Sequence, residues 1–175
     1  MARLRTEKGH ATLLPAVGAA AKRLSRPVHL VVVGSGPVES DFKALVPDAA
    51  PARVHFVGHQ DDVAPWYALG DIVAMPSYRD AFPAAAVEAM SAGCTLVASG
   101  VGGLLEMIED GVSGLLVQPK NVPALADAIL KVSSDPALAR SLGDAARNRY
   151  MQNFRMETAV ANLCGIFREL LNAKR

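Results

Sequence analysis

Two acids, two cations and a few glycines carry most of the chemical potential of this sequence. Asp80 and Glu88 stand with seven residues between them in the stretch RDAFPAAAVE. Pro83 suits the first turn of a helix and Gly93 its end, so Asp80 falls in the preceding loop and Glu88 about one and a half turns inside. Free backbone amides at such a helix start hold phosphate groups. Carboxylates accept hydrogen bonds from sugar hydroxyls. Placed this way, the two acids flank an elongated ligand. The same spacing also fits an acid that complements a helix dipole and a second one on a solvated face; spacing alone leaves both open.

The remaining polar positions are weaker. Arg3 and Lys8 could offer cationic contacts to a diphosphate, or could be solvated charges. Gly34 and Gly36 belong to a GSGP turn after an apolar run, but a dinucleotide fingerprint would need glycine at 39, where Glu39 stands. Gly102-Gly103 permits a close backbone approach or a tight turn. Trp66 and Tyr67 read as core or rim residues. His59 falls in a loop after a strand, while His10, His29 and His55 have no catalytic partner nearby in sequence. No Ser/His/Asp order and no metal-ligand spacing emerges. Cys94 and Cys164, 70 residues apart, read as buried reduced thiols.

The elements that must position these groups alternate. Strands are expected at Val28–Val33, Arg53–Val57, Asp71–Met75, Thr95–Ala98 and Gly114–Val117, mostly as continuous apolar runs that suit parallel strands covered on both faces. Helical periodicity lies between them; Leu13, Val17, Ala20 and Leu24 follow 4, 3, 4 spacing. This pattern predicts a doubly wound, Rossmann-like α/β domain with a parallel sheet. From about residue 120 to 175 the chain reads as helical, broken at Asp135-Pro136. The last helix carries Met156, Val160, Leu163, Phe167 and Leu170 on one apolar stripe, which needs a surface to pack on. The first helix begins near Lys8, so the opening strand is expected to be cut to Met1–Leu4, as in an excised piece.

Composition narrows the class. The 175 residues suit one domain and are 51% hydrophobic and 20% charged, against disorder or a fibrous chain. A net charge of +1 gives no general attraction to nucleic acid. The charged start MARLRTEKGH lacks the apolar core of a signal peptide, and no run is long enough to span a bilayer, so a cytoplasmic location is expected.

Taken in order, ARLRTEKGH, VVVGSGP, VHFVGHQDD, WYALGDIVAMPS, DAFPAAAVEAMSAG, VASGVGGLLEMIEDGVSGLLV and the closing helices resemble the C-terminal donor-binding domain of group 1 retaining glycosyltransferases of the GT-B fold. The resemblance covers nearly the whole chain and implies half of a two-Rossmann-domain enzyme. Its marker pair of acids falls on Asp80 and Glu88, implying contact of the first with the transferred hexose and of the second with the ribose. It places backbone amides around Phe82, Ala84 and Ala85 on the diphosphate, with Arg3 and Lys8 neutralising that leaving group. The base would lie near Gly58, His59, Gln60 and Asp62, with Gly34 and Gly36 lining the cleft. The sequence departs from the family at Asp80, one methylene shorter than the usual glutamate, and at Pro83, which has no amide to donate.

The implied activity is hexosyl transfer from a nucleoside-diphosphate sugar to a glycan or lipid-linked acceptor, as in polysaccharide biosynthesis, without metal or other cofactor. The implied partners are the nucleotide sugar and an N-terminal Rossmann domain or separate acceptor subunit, with peripheral membrane association through that acceptor half and no nucleic acid. The fragment by itself is expected to bind donor but to transfer poorly. The alternatives are a non-catalytic nucleotide-sugar or partner-binding module, and half of a related nucleotide-sugar epimerase.

Overall fold

The structure is a computed structural model that describes residues 3–46 and 51–172. Five strands form two parallel sheets. β1 (His29–Val33) pairs with β2 (Arg53–Gly58), starting at His29 opposite Arg53. β3 (Ile72–Met75), β4 (Thr95–Ser99) and β5 (Leu115–Val117) form the second sheet in the order β3-β4-β5. These are the five strands expected from the apolar runs, with bounds within a residue or so.

Eight helices connect and cover them among the described residues: α1 (His10–Ala21), α2 (Glu39–Ala44), α3 (Ala64–Leu69), α4 (Ala84–Ser91), α5 (Leu104–Met107), α6 (Val122–Ser134), α7 (Pro136–Asn153) and α8 (Met156–Asn172). Asp135 explains the break between α6 and α7. Its carboxylate accepts from the Ala137 and Leu138 amides at 3.1 and 3.0 Å, while Pro136 opens the new helix.

The core divides across β4, every residue of which is buried. Val97 faces one layer, with Leu13 and Val17 of α1 and Leu125 and Ile129 of α6. Leu96 and Ala98 face the other, with Met90 of α4, Met107 of α5 and Ala146 of α7. Successive strand residues point to opposite faces, so a strand covered on both sides must be apolar throughout. Helices on both faces of parallel strands make the chain a Rossmann-like α/β fold.

Three expectations need correction. Among the described residues the parallel strands do not form one continuous ladder, because β1 and β3 each have a single hydrogen-bonded neighbour. Leu4 is not strand; it lies in an irregular stretch, fully buried against Val32 and Phe42, and its amide donates to the Ser35 carbonyl at 2.9 Å. Arg3 is likewise not strand, and Met1 and Ala2 lie outside the described residues. Cys94 is buried as expected, but Cys164 is exposed. The reason is its helix: α8 contains no buried residue, and its stripe from Met156 to Leu170 faces solvent. No helix of the described residues is long and apolar enough to cross a membrane.

Candidate donor site

The loop from Pro76 to Pro83 leaves the carboxyl end of β3 and enters α4, bringing the two acids to one edge of the fold. Asp80 is held at three points. Lys8 Nζ donates to its Oδ2 at 2.7 Å, the hydroxyl of buried Ser77 donates to the same oxygen at 3.3 Å, and its carbonyl accepts from the Gly103 amide at 3.1 Å. The carboxylate is largely buried and Lys8 about three-quarters so, with side-chain exposures of 10% and 25%. A pair this sheltered is weakly screened by salt.

Glycine makes this packing achievable. A Cβ on Gly102, whose φ is +48°, would stand 1.9 Å from the Asp80 carbonyl oxygen. The Gly102-Gly103 turn is therefore the close-approach case. Lys8 is brought in by a one-turn 3-10 helix, Thr6–Lys8, that ends at Gly9 with φ 72°. The Tyr78 amide donates to the Glu7 carbonyl at 2.7 Å, and the Tyr78 and Thr12 hydroxyls lie 2.8 Å apart. These bonds tie the loop before α1 to the loop before α4.

Glu88 is exposed on α4, but its Oε2 accepts from the Tyr67 hydroxyl at 2.8 Å; that hydroxyl also lies 3.2 Å from the Ala85 carbonyl. Burial, and then the hydrogen bond to Glu88, raise the Tyr67 pKa well above the usual phenol range. Tyr67 thus stays a proton donor and fixes the Glu88 carboxylate. At the start of α4 the Ala86 amide is the first to find a local acceptor, the Pro83 carbonyl at 2.9 Å. The amides of Ala84 and Ala85 precede it, in the positions where helix starts bind anions. The loop presents Phe82 at 55% exposure, tilted against Phe154 with ring centroids 6.1 Å apart.

The other expected residues are spread along the same carboxyl edge. The Gly34 amide donates to the Gly58 carbonyl at 2.7 Å, closing the ends of β1 and β2 together. Gly36 packs on Leu4, whose carbonyl oxygen would lie 2.1 Å from an added Cβ. Beyond β2 the side chains form a local turn: His59 Nε2 is 3.4 Å from Asp61, Gln60 donates to the Val57 carbonyl at 2.9 Å, and Asp62 accepts from the Ala64 amide at 3.0 Å. Arg3 is exposed and has no ion pair with another described residue.

Two contributors were not legible in the sequence as site residues. Tyr67 is 21 residues from the acid it holds, and Ser77 gives no motif. A cavity of about 590 Å³ lies beside the loop, lined by Tyr78, Arg79 and Lys120 among others. The Lys120 ammonium sits 5.1 Å from the centre of the Tyr78 ring, adding positive charge next to Asp80's loop. Among the described residues, no group of three or more His, Cys, Asp or Glu is placed to hold a metal.

Comparison with known proteins gives this arrangement its family. Residues 1–149 match the family model described as glycosyl transferases group 1. N-acetyl-alpha-D-glucosaminyl L-malate synthase of Bacillus anthracis is 32% identical over 143 residues, covering 81% of this chain and 38% of that protein. The Anabaena Alr3699/HepE structure in complex with UDP superposes with a TM-score of 0.86 at 26% identity, over 97% of this chain and 47% of that one. The C-terminal domain of the group 1 protein LpcC from Francisella tularensis gives 0.79 at 25% identity, over 88% of this chain and 83% of that one. The chain therefore spans less than half the length of the malate synthase relative and most of an isolated C-terminal domain. By family model, sequence and fold together, it belongs to the group 1 glycosyltransferases of the GT-B fold.

Proposed function

We propose that residues 1–175 act as a single donor-binding domain, the half of a retaining glycosyltransferase that presents a nucleoside-diphosphate hexose to an acceptor held by a separate N-terminal Rossmann domain or subunit. The observation that carries this reading is the Lys8–Asp80 pair, braced by Gly103 and set just before the open amides of α4. It joins an acceptor for sugar hydroxyls to two kinds of anion donor where two loops meet. The complexes of the Anabaena relative with UDP and with UDP-glucose support a nucleotide sugar as ligand.

In this reading Asp80 accepts hydrogen bonds from hexose hydroxyls and Glu88 from the ribose. The Ala84 and Ala85 amides, next to Phe82, take the diphosphate. Lys8 has three N–H donors, so it can keep Asp80 and still reach a phosphate oxygen. When the bond from the anomeric carbon to the phosphate oxygen breaks, its electron pair goes to the diphosphate. Lys8, Arg3 and the helix start then stabilise charge that develops in the transition state. The base lies along Gly58 to Asp62, with Gly34 and Gly36 at the cleft wall.

Calorimetric titration with UDP, GDP, ADP and their glucose or mannose conjugates tests the reading. Selective binding of one nucleotide, weakened at least tenfold by Glu88→Ala in a chain with unchanged melting, is expected. Equal binding by Glu88→Ala would remove that residue from the site.

A further inference from the structure

The cavity of about 590 Å³ beside the Asp80 loop is walled by Thr6, Glu7, Tyr78, Arg79, Pro119 and Lys120. That volume suits a small ligand. Three segments meet there: the turn before α1, the loop from β3 to α4, and the loop from β5 to α6. α1 and α6 pack in the layer of Val97, and α4 in the layer of Leu96 and Ala98. The cavity therefore lies on the α1 and α6 side of the carboxyl edge, and the free amides of α4 on the other. Between the two, the chain runs from Tyr78 and Arg79 through Asp80 to the start of α4.

The charge of this cavity is unbalanced. Arg79 and Lys120 form no ion pair among the described residues. The acid in the wall, Glu7, has its carboxylate 3.7 Å from the Arg5 guanidinium. Two cations that line one cavity repel each other unless an anion lies between them. Lys120 also has an unfavourable backbone: its φ of 63° makes it the non-glycine residue in the left-handed region among the described residues. Asn121, of a type that tolerates this conformation, stands next to it and instead caps α6, accepting from the Ala124 amide at 3.0 Å. The strained position thus falls to a cation, as strained positions do at ligand sites. Its ammonium lies 5.1 Å from the centre of the Tyr78 ring, and that ring is fixed by its hydroxyl, 2.8 Å from that of Thr12.

We propose that this cavity binds a carboxylate or phosphate group of a substrate, with Arg79 and Lys120 as its two cations. A guanidinium offers two parallel N–H donors to such a group, and an ammonium a compact charge. The Thr6 hydroxyl, in the same wall, is a further donor. The donor sugar is the source that the placement favours. This assignment rests on the donor-site reading, in which the diphosphate lies at α4 and the hexose at Asp80. The group that reaches Arg79 then belongs to the part of the sugar away from the diphosphate. An acidic hexose, with a carboxylate on the carbon outside its ring, meets that requirement. A neutral hexose leaves both cations unpaired. The anion site itself does not depend on that reading.

The test titrates the full chain with inorganic phosphate at constant ionic strength, and separately with UDP, UDP-glucose and UDP-glucuronate. NMR follows the Arg79 side-chain N–H and the Lys120 amide, apart from the Ala84 and Ala85 amides. The expected result is that phosphate shifts the Arg79 and Lys120 signals saturably. Arg79→Gln is expected to weaken that binding at least fivefold. Lys120→Gly should also weaken it while melting no lower than the parent, because glycine relieves the left-handed backbone. UDP-glucuronate is expected to bind at least tenfold more tightly than UDP-glucose, a preference that Arg79→Gln reduces below twofold. Absence of a saturable shift, or the same shift in Arg79→Gln, would overturn the proposal. So would a Lys120→Gly chain that melts lower and binds phosphate unchanged, because the lysine then serves the fold. Phosphate binding with equal affinity for the two UDP-sugars upholds the cavity and overturns the donor sugar as its source, leaving the acceptor. Phosphate binding without any UDP binding upholds the anion site and contradicts the donor-site reading instead.

Discussion

The three-stranded sheet and the two-stranded one are built from similar apolar runs yet reach different degrees of burial. β4 is buried at every residue, with helices on both faces and a strand on either side. β1 is buried only at Val32 and Val33, and β2 at no position. The difference lies in neighbours and not in propensity, since HLVVV is as strand-like as TLVAS. A strand buries every one of its residues when both edges and both faces are covered. The candidate site lies at the seam of these two regions. Asp80 and Glu88 come from the well-packed half, whereas Lys8 comes from the bridge that ties the halves together.

The comparison is sharpened most by paired truncations. Leu96 is fully buried and Leu30 only partly so. Leu96→Ala is expected to cost about 3–4 kcal/mol, and Leu30→Ala about 1 kcal/mol, in denaturant unfolding. Equal costs would break the distinction between the halves. Next comes the seam. Lys8→Ala leaves a largely buried carboxylate without its cation, and a loss of about 2 kcal/mol is expected from the charged hydrogen bond. Nucleotide affinity should fall at least tenfold in the same variant.

A smaller effect is expected within the packed half. Tyr67→Phe removes the hydroxyl that holds Glu88, at about 1 kcal/mol. It should weaken nucleotide binding about fivefold, and it should add little on top of Glu88→Ala, a double-mutant cycle showing coupling.

The remaining effect belongs to the other side of the seam and depends on pH. His10 stacks on Phe42 at 4.7 Å, and its buried Nδ1 has no hydrogen-bond partner among the described residues. Burial, with help from nearby positive charge including Lys8, lowers its pKa from 6.5 to about 4. Between those values the unfolded chain binds the proton more readily, so stability falls as pH drops from about 6.5 to about 4 and levels off below. A His10→Phe variant should lose that part of the pH dependence, as followed by the urea midpoint from pH 4 to 7.

Much of the fold was legible because apolar runs and breakers are local. The five strands, the Asp135-Pro136 break and the Gly93 helix end all follow from short windows. The split between β1 and β3 was not, since hydrogen-bonded pairing depends on which strands become neighbours. Cys164 shows the same limit: an apolar stripe at helical spacing says that a face wants cover, not that it has it. At the site, Asp80, Glu88 and Lys8 could be picked out by type and resemblance. The Tyr67 bond to Glu88 could not, because two elements distant in sequence create it.

The central claim is the location of the donor, and backbone-amide NMR during titration with the nucleotide that binds tests it most directly. The account predicts that the Ala84 and Ala85 amides and the Lys8 segment shift together and saturate with one affinity. Shifts confined to Val31, Val33 and Ile72–Met75, along β1 and β3, would contradict it.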